Sequence, residues 1–484
     1  MGTIPQKKPC LRGLGALPGG RALLAGSFFG GLVFPSRLET WSSPRKWSDL
    51  KSKGSWDGFL ACIGPFGKVL WGKALGGKGE DRVEALEIVQ GGRGAFLLGL
   101  FHGDASFGEI PRTETITCGR GTGIFTALYD TEGGTLVRAR KIGEGDSLQD
   151  LRLAVLSGGI GDGYYVSGLF RRRITLGRGE GSVSLNAAAD GEEALFLARF
   201  DGEDQVVWAV KAATSRGGLL SGGLCAMPDG SAAVAGSFKG DLAAAPGTKR
   251  ETRFGVSHGY WEIFMARFGP GGVMMWARHA AGRADDFAGA LVSSSDGSLF
   301  LSGGLHHTVH FWEGKEEMEI GSGGGLNSFL ARFQGDGTPV WGARGAAYGG
   351  RGEGLDIALR EEGGEVNVYF TGFFNKLVSF KEPPYGYKNG PTRAQKQPYS
   401  FLLSPTGKEN REDVFLACLR GNGETAWAAR AGGIGDDEGL FVTILPDGSP
   451  LVAGTFMGPA TFGLGEPNQT VLVQGTLFLA KYRP

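Results

Sequence analysis

Acidic residues recur in glycine-rich loops along the chain, and their oxygen-rich side chains suit a metal ion. Three of them, Asp81, Asp286 and Asp437, each lie ten residues after a tryptophan, so we expect them to occupy equivalent positions. Carboxylate oxygens are the ligands that Ca²⁺ prefers. The alternative, which we favour, is that each aspartate accepts hydrogen bonds from backbone N–H groups of its own turn. The candidate metal ligands are Asp81, Asp146, Asp286, Glu353 and Asp437.

A long insertion in the widest repeat, spanning residues 381–413, combines aromatic and basic side chains. Tyrosines and cations on an irregular loop are typical of binding surfaces. The alternative is a surface excursion without a binding role. The candidate partner-binding residues are Tyr385, Tyr387, Lys388 and Arg393.

Three histidines lie close together in the segment His306-His307-Thr308-Val309-His310. On a strand, His306 and His310 point to one side and His307 to the other, so at most two can bind one metal ion. Because no cysteine or acidic residue is at ligand spacing beside them, we expect a solvated strand end. The chain also has no Ser-His-Asp order, G-x-S-x-G, H-E-x-x-H or P-loop motif, so we predict no catalytic residue.

Composition excludes several classes of protein. The 484 residues include 50 basic and 50 acidic side chains, which leaves no net charge to attract nucleic acid or an anionic membrane. No apolar run is long enough for a membrane span. The five cysteines are scattered and odd in number, which argues against a disulfide framework. The N-terminal region resembles a secretory signal, but it also matches the repeat, so we expect a folded half-repeat there.

One pattern repeats seven times and identifies the elements that carry these residues. It comprises Phe-Leu-Ala, a glycine turn, a tryptophan, an acidic glycine loop, an Asp-Gly turn and Gly-x-Phe. Each copy divides into four strand-like pieces, which in one copy span residues 222–227, 232–238, 263–268 and 273–278. We expect the tryptophans to pack between repeats rather than to stack on a ligand. The alanines that begin the copies are Ala61, Ala127, Ala198, Ala266, Ala331, Ala417 and Ala480.

Four-stranded repeats of this length predict an all-β protein, a seven-bladed β-propeller formed by residues 1–484 as a single domain. If the small-residue strand is innermost, the seventh blade lacks its outer strand. We expect the segment Thr3–Cys10 to supply it, so that the N- and C-terminal segments pair and close the ring.

Successive connections in an antiparallel meander alternate between the two edges of a sheet. The tight turns therefore share one face, and the acidic loops and long crossings share the other, which we call the long-loop face. Loops on a rigid scaffold usually carry function. We expect a non-enzymatic, monomeric scaffold that binds a protein or glycan partner on this face. The alternatives are a hydrolase or lyase with a metal ion on the acidic loops at the central funnel, and a purely structural surface repeat protein.

The repeat resembles a known family. The sixth copy carries Val414 to Leu419, Trp427-Ala428, Gly432 to Asp437, Asp447-Gly448 and Val452 to Phe456. This run is similar to the SBBP (seven-bladed β-propeller) repeat family, and the similarity extends over nearly the whole chain. The resemblance implies the propeller fold and a secreted or cell-surface location, and it implies no activity.

Overall fold

The computed structural model describes residues 8–34, 48–119, 121–187, 191–255, 259–312, 317–321, 324–347, 349–380, 401–406, 411–464, 469–473 and 475–483. Their regular structure consists of β-strands and four single-turn 3₁₀ helices at Pro18–Gly20, Gln90–Gly92, Ile160–Asp162 and Gly179–Gly181. In this part of the chain, no helix has the length and apolar character needed to cross a membrane.

Seven antiparallel sheets, one for each predicted blade, contain the described strands. Blade 1 is ordered β1 (Cys10–Leu17), β2 (Arg21–Phe34), β3 (Ser48–Ile63), β4 (Val69–Gly77), β7 (Asp104–Glu109) and β8 (Arg112–Thr117). Blade 2 is ordered β5 (Arg82–Val89), β6 (Gly94–Phe101), β9 (Thr122–Asp130), β10 (Leu136–Gly145), β13 (Arg173–Leu176) and β14 (Val183–Asn186). Blade 3 is ordered β11 (Gln149–Val155), β12 (Tyr164–Phe170), β15 (Glu193–Phe200), β16 (Val206–Ser215), β19 (Leu242–Ala244) and β20 (Thr252–Phe254).

The remaining four blades follow the same order along the chain. Blade 4 is ordered β17 (Leu219–Ala226), β18 (Ala232–Lys239), β21 (Trp261–Phe268), β22 (Met274–Ala281), β25 (Val309–Phe311) and β26 (Met318–Ile320). Blade 5 is ordered β23 (Phe287–Ser293), β24 (Leu299–His306), β27 (Leu326–Phe333), β28 (Pro339–Ala347), β31 (Val378–Ser379) and β32 (Leu402–Leu403). Blade 6 is ordered β29 (Gly352–Glu362), β30 (Glu365–Phe374), β33 (Asp413–Arg420), β34 (Thr425–Gly433), β37 (Ala460–Phe462) and β38 (Thr470–Leu472). Blade 7 is ordered β35 (Glu438–Ile444), β36 (Pro450–Thr455) and β39 (Leu477–Lys481).

This sheet order confirms the predicted fold class, a seven-bladed β-propeller. The four strands predicted for the copy that forms blade 4 correspond to β17, β18, β21 and β22, with ends that differ by up to three residues. Most of the described tight hairpin turns have a glycine with positive φ where the strands reverse, as at Gly230 (φ 78°) and Gly272 (φ 78°), whereas Asp204 takes that conformation (φ 63°) between β15 and β16.

The first six blades also have two outer strands that the repeat pattern did not predict. In blade 4 they are β25 and β26, which lie in the crossing between β24 and β27 of blade 5. Ala280 and Ala281 of β22 pair with Phe311 and His310 of β25. The crossing of one blade therefore extends the sheet of the blade before it.

The first strand of each blade packs against the first strand of the next blade where both lie in one compact unit. The chain divides into two such units, residues 1–190, 197–209 and 445–447 in one and residues 191–196, 210–444 and 448–484 in the other. In the first unit β1 contacts β5, and in the second β17 contacts β23 and β23 contacts β29. Glycine allows this approach, since a Cβ on Gly223 would be 2.4 Å from the backbone nitrogen of Leu291. The single domain predicted over residues 1–484 stays a prediction.

The apolar core lies between neighbouring sheets. Within the second unit, one cluster joins Met265 and Phe311 of blade 4 to Leu301 and Phe329 of blade 5, and all four side chains are buried. Trp276 packs against the same cluster, and its indole N–H donates a hydrogen bond to the Gly335 carbonyl oxygen, 3.1 Å away in the next blade. This is the interblade packing expected for the repeated tryptophans.

Most of the predicted terminal pairing lies outside the described residues. Of the segment Thr3–Cys10, the structure describes residues 8–10, and Cys10 pairs with Ser27 in blade 1. Closure of the ring by terminal strand pairing stays a prediction.

Candidate functional site

The three equivalent aspartates of the acidic loops accept backbone hydrogen bonds. Asp81 Oδ2 accepts the Gly77 N–H (2.6 Å), and its Oδ1 accepts the His102 N–H (3.3 Å). Asp437 accepts the Gly433 N–H (2.8 Å) and the Met457 N–H (3.0 Å) in the same way. These contacts are the ones expected if each aspartate satisfies its own turn. Calcium at these loops stays a prediction.

Asp286 differs from the other two in one respect. Its Oδ1 accepts the His306 N–H at 2.9 Å. Its Oδ2 is buried and has no hydrogen-bond partner among the described residues. This oxygen lies 2.5 Å from the position that a Cβ would take on Gly282, so a side chain there would force the Asp286 carboxyl to move. One oxygen of the Asp286 carboxyl is therefore removed from water without a protein hydrogen bond in its place.

A second acidic residue accompanies each of these aspartates, four residues before the repeat alanine. Asp57 accompanies Asp81, Glu262 accompanies Asp286, and Asp413 accompanies Asp437; all six side chains are buried. Burial, with a smaller contribution from neighbouring carboxylates, raises the pKa to about 6 for Asp57, about 8 for Asp286 and about 7 for Asp437. Burial also raises the pKa values of Asp81 and Asp413. Near neutral pH, Asp286 is therefore mostly protonated and Asp437 partly so.

The other sequence-predicted residues are placed differently. Asp146 is exposed, and its backbone N–H donates to the Arg173 carbonyl oxygen at 3.0 Å. Glu353 is partly buried, and burial raises its pKa while Arg351 lowers it. Tyr385, Tyr387, Lys388 and Arg393 lie outside the described residues.

A large groove lies beside the acidic loop of blade 4, within the second compact unit. Its floor and sides come from β22, from the edge strand β20, and from the two connections at residues 282–283 and 307–308. Both connections belong to the long-loop face. The cavity has a volume of about 1350 Å³. Small-molecule pockets are typically about 300–1000 Å³, so this groove has room for an extended polymer segment.

The groove has a basic and aromatic lining. Of the described residues that line it, Glu262 is the only acidic one, and it is buried. The Phe254 and His279 rings, on β20 and β22, lie 4.7 Å apart between centroids and form an aromatic pair in the groove lining. Arg253 is largely exposed and forms an ion pair with Glu251 at 2.6 Å. The basic residues are Arg253, Arg278 and Arg283, and the histidines are His279, His307 and His310.

The three histidines singled out in the sequence have separate environments. His306 Nδ1 is 2.5 Å from the Asp285 carbonyl oxygen, at the end of β24. His307 has a positive φ of 55° at the turn into the crossing. His310 lies on β25 and lines the groove, and its Nδ1 is 2.5 Å from Glu317 Oε1. The strand geometry expected from the sequence therefore does not hold through His307.

Sequence reasoning missed Glu317 and Glu319, whose carboxylate oxygens lie near His310. The ligand atoms of these three residues all lie within 4.8 Å of one another. The chain reverses direction between β25 and β26, so residues seven and nine positions apart become neighbours. A pattern search beside the histidines could not find them, because the outer hairpin itself was not predicted.

Comparisons with known proteins add little to this geometry. No family model and no curated protein matches the chain. One similar solved structure is the extracellular domain of a putative one-component system from B. thetaiotaomicron, which is 9% identical. The match covers 86% of this chain and 78% of that one, with a TM-score of 0.13, which does not establish a shared fold. Membership of the SBBP repeat family stays a prediction.

Proposed function

We propose that the protein is a non-enzymatic binding scaffold that takes an acidic segment of a protein or glycan partner into the groove of blade 4. The observation that carries this proposal is the lining of the groove, which contains three arginines, three histidines and one buried glutamate. Complementary charge steers a partner to such a surface and fixes its orientation.

The volume of the groove supports a polymer rather than a small metabolite as the ligand. The groove is open and larger than ordinary small-molecule pockets. Arg253 has an exposed guanidinium, which binds carboxylate or sulfate groups in two-point geometry. The Phe254–His279 pair offers an aromatic face for the apolar side of a sugar or a side chain.

The test measures binding of two probes, a sulfated oligosaccharide and a poly-glutamate peptide, by titration calorimetry at low and high salt. We expect at least one probe to bind, with affinity that falls as salt rises. The double variant R253Q/R283Q should reduce affinity by about tenfold or more, since it removes two charges from the groove.

Arg420→Gln is the matched control. Like Arg253, Arg420 is an exposed arginine paired with a glutamate, Glu424 at 3.5 Å, but it lies in blade 6 outside the groove. This variant should bind as the wild type does. If neither probe binds, or if both variants weaken binding equally, the groove is not the partner site.

A further inference from the structure

Three consecutive arginines precede and begin the hairpin β13–β14, the outer hairpin of blade 2. Arg171 and Arg172 lie in the turn after β12, and Arg173 is the first residue of β13. All three are exposed, and all belong to the first compact unit. No other copy of the repeat has a basic triplet at this position. The triplet is therefore particular to this hairpin.

Arg172 has a backbone conformation that disfavours a side chain. Its φ is 63°, in the left-handed region, and it lies two residues after Phe170. Other copies have glycine in the same conformation two residues after the equivalent phenylalanine, as at Gly103 (φ 69°) and Gly240 (φ 84°). Glycine adopts this conformation without steric cost, whereas arginine does not. The strain at Arg172 therefore points to a use of its side chain.

The outer hairpins of blades 1 and 2 have the same register, which makes them comparable. Each joins two hydroxyl side chains across its strands with oxygen atoms 3.0 Å apart, and these pairs are Ser106–Thr115 in blade 1 and Thr175–Ser184 in blade 2. Two residues before the first hydroxyl, blade 1 has Asp104 and blade 2 has Arg173. The hydroxyl pair recurs with the fold, whereas the charge beside it is reversed.

The guanidinium groups of Arg172 and Arg173 have unused hydrogen-bond donors. Arg173 donates one side-chain hydrogen bond, to Ser184 Oγ at 3.1 Å, which fixes its orientation. The Arg172 side chain makes no hydrogen bond or ion pair with the described residues. Each guanidinium has five N–H donors and keeps its charge at neutral pH. Two consecutive guanidiniums of this kind suit a ligand with several acceptor oxygens.

Two acidic residues lie at this end of the hairpin, and neither forms an ion pair with the last two arginines of the triplet. Glu144, on the neighbouring strand β10, has its carboxylate 2.5 Å from Lys141 Nζ. Asp146 contacts the turn through its backbone. Its carbonyl oxygen accepts the Arg171 N–H at 3.2 Å, and its N–H donates to the Arg173 carbonyl oxygen at 3.0 Å. The described part of this surface is therefore basic.

We propose that Arg172 and Arg173 bind the phosphate monoester group of a ligand. Such a group carries a charge of about −1.5 to −2 near neutral pH and presents three strong acceptor oxygens. Carboxylates and sulfate monoesters carry a single charge, so they match two consecutive guanidiniums less closely. Asn186 lies opposite Arg173 across the strands and offers an amide donor to the same group. This site goes beyond the proposed function and shares no residue with the groove of blade 4.

The experiment titrates the full chain with phenyl phosphate and with phenyl sulfate by calorimetry at pH 7.5. We expect phenyl phosphate to bind saturably and at least fivefold more tightly than phenyl sulfate. Arg172→Gln and Arg173→Gln should each weaken phenyl phosphate binding about tenfold or more, since each removes charged hydrogen bonds. The wild-type affinity for phenyl phosphate should fall several-fold at pH 5, because the phosphate gains a proton at about pH 6.

The source of the phosphate group is distinguished by two further probes. Glycerol 3-phosphate represents a free phosphorylated metabolite, and a peptide with one phosphoserine represents a modified protein. Tighter binding of the peptide would assign the site to a phosphorylated partner, and equal binding would assign it to the phosphate group alone. Either result supports the proposal.

Two variants separate binding from a structural role. Arg112→Gln is the control, because Arg112 is an exposed arginine of the outer hairpin of blade 1, and this variant should bind phenyl phosphate as the wild type does. Arg172→Gly should weaken binding yet melt no lower than the wild type, because glycine favours the positive φ. Absence of binding by the wild type, equal affinities for the two phenyl esters, or a lower melting temperature of Arg172→Gly would overturn the proposal.

Discussion

The buried acidic loops and the hairpin β25–β26 use the same kind of side chain in opposite ways. At Asp81, Asp286 and Asp437 the carboxylates are buried, recur with the repeat and accept backbone N–H groups. Glu317 and Glu319 belong to the outer hairpin of blade 4, where Glu317 contacts His310 and Glu319 pairs with His310 across the strands. The comparison teaches that side chains that recur with the repeat serve the fold, whereas polar side chains particular to one blade are the better candidates for function.

The largest expected effect on the free energy of unfolding comes from substitution of one of the recurring buried aspartates. Asp437→Ala leaves the Gly433 and Met457 N–H groups without an acceptor. Each buried unsatisfied donor costs about 1–3 kcal/mol, so we expect the free energy of unfolding to fall by about 2–5 kcal/mol. Urea unfolding at pH 6 measures this loss, because Asp437, with a pKa of about 7, is then mostly neutral.

The neighbouring residue provides the control for this change. Asp436 is partly exposed, forms an ion pair with Arg411 at 2.8 Å and accepts one long backbone hydrogen bond, from the Glu412 N–H at 3.3 Å. Asp436→Ala should cost less than about 1 kcal/mol. Equal losses for the two variants would show that the buried hydrogen bonds of Asp437 do not stabilise the blade.

An intermediate effect concerns pH. The pKa of Asp286 is about 8 in the folded protein, well above the usual value of an aspartate in an unfolded chain. A carboxyl group whose pKa is higher in the folded than in the unfolded state contributes its full stabilisation at a pH below its unfolded-state pKa. This contribution is lost as the pH rises through its folded-state pKa. Asp57 and Asp437, with pKa values of about 6 and about 7, also lower the stability of the fold as the pH rises. We therefore expect the melting temperature to fall by several degrees between pH 5 and pH 9.

Asp286→Asn isolates one contribution to that slope. Asparagine keeps an acceptor for the His306 N–H and places a neutral group at the second position. The variant should melt with a flatter pH profile and be more stable than the wild type at pH 9. Asp336→Asn, in an exposed turn, should retain the wild-type profile. A profile for Asp286→Asn parallel to that of the wild type would mean that this carboxyl is not the titrating group.

The smallest expected effect on the free energy of unfolding comes from substitutions on the hairpin β25–β26. His310→Ala and Glu319→Gln change side chains on the outer face of the hairpin, so the metal-free unfolding free energy should change by no more than about 0.5 kcal/mol. Thermal and urea unfolding in a chelating buffer measure it. A loss above about 1 kcal/mol would show that these charges support blade 4 rather than a ligand.

The sequence was sufficient for the fold and less so for the candidate site, for physical reasons. Four strands per repeat are long enough to show alternation and end in glycine turns, so β17, β18, β21 and β22 were predictable. Strands β25 and β26 have three residues each, too few to show a period.

The site depended on that missing hairpin. His310 attracted attention as part of a histidine cluster, but its contact with Glu317 exists only because β25 and β26 pair. The groove likewise joins β20 of blade 3 to β22 of blade 4, two strands separated in the sequence by β21. The acidic loops, by contrast, are local features of the sequence. The equivalence of Asp81, Asp286 and Asp437 could be predicted from their constant distance of ten residues after a tryptophan.

The outer hairpins have a consequence for how such a chain can evolve. The segment between β24 and β27 connects two strands of blade 5 but completes the sheet of blade 4 through its pairing with β22. Deletion of the strands of blade 5 together with this crossing would therefore strip blade 4 of two strands. The groove likewise takes its walls from strands of two adjacent blades, so a change of binding specificity at this surface draws on substitutions in both.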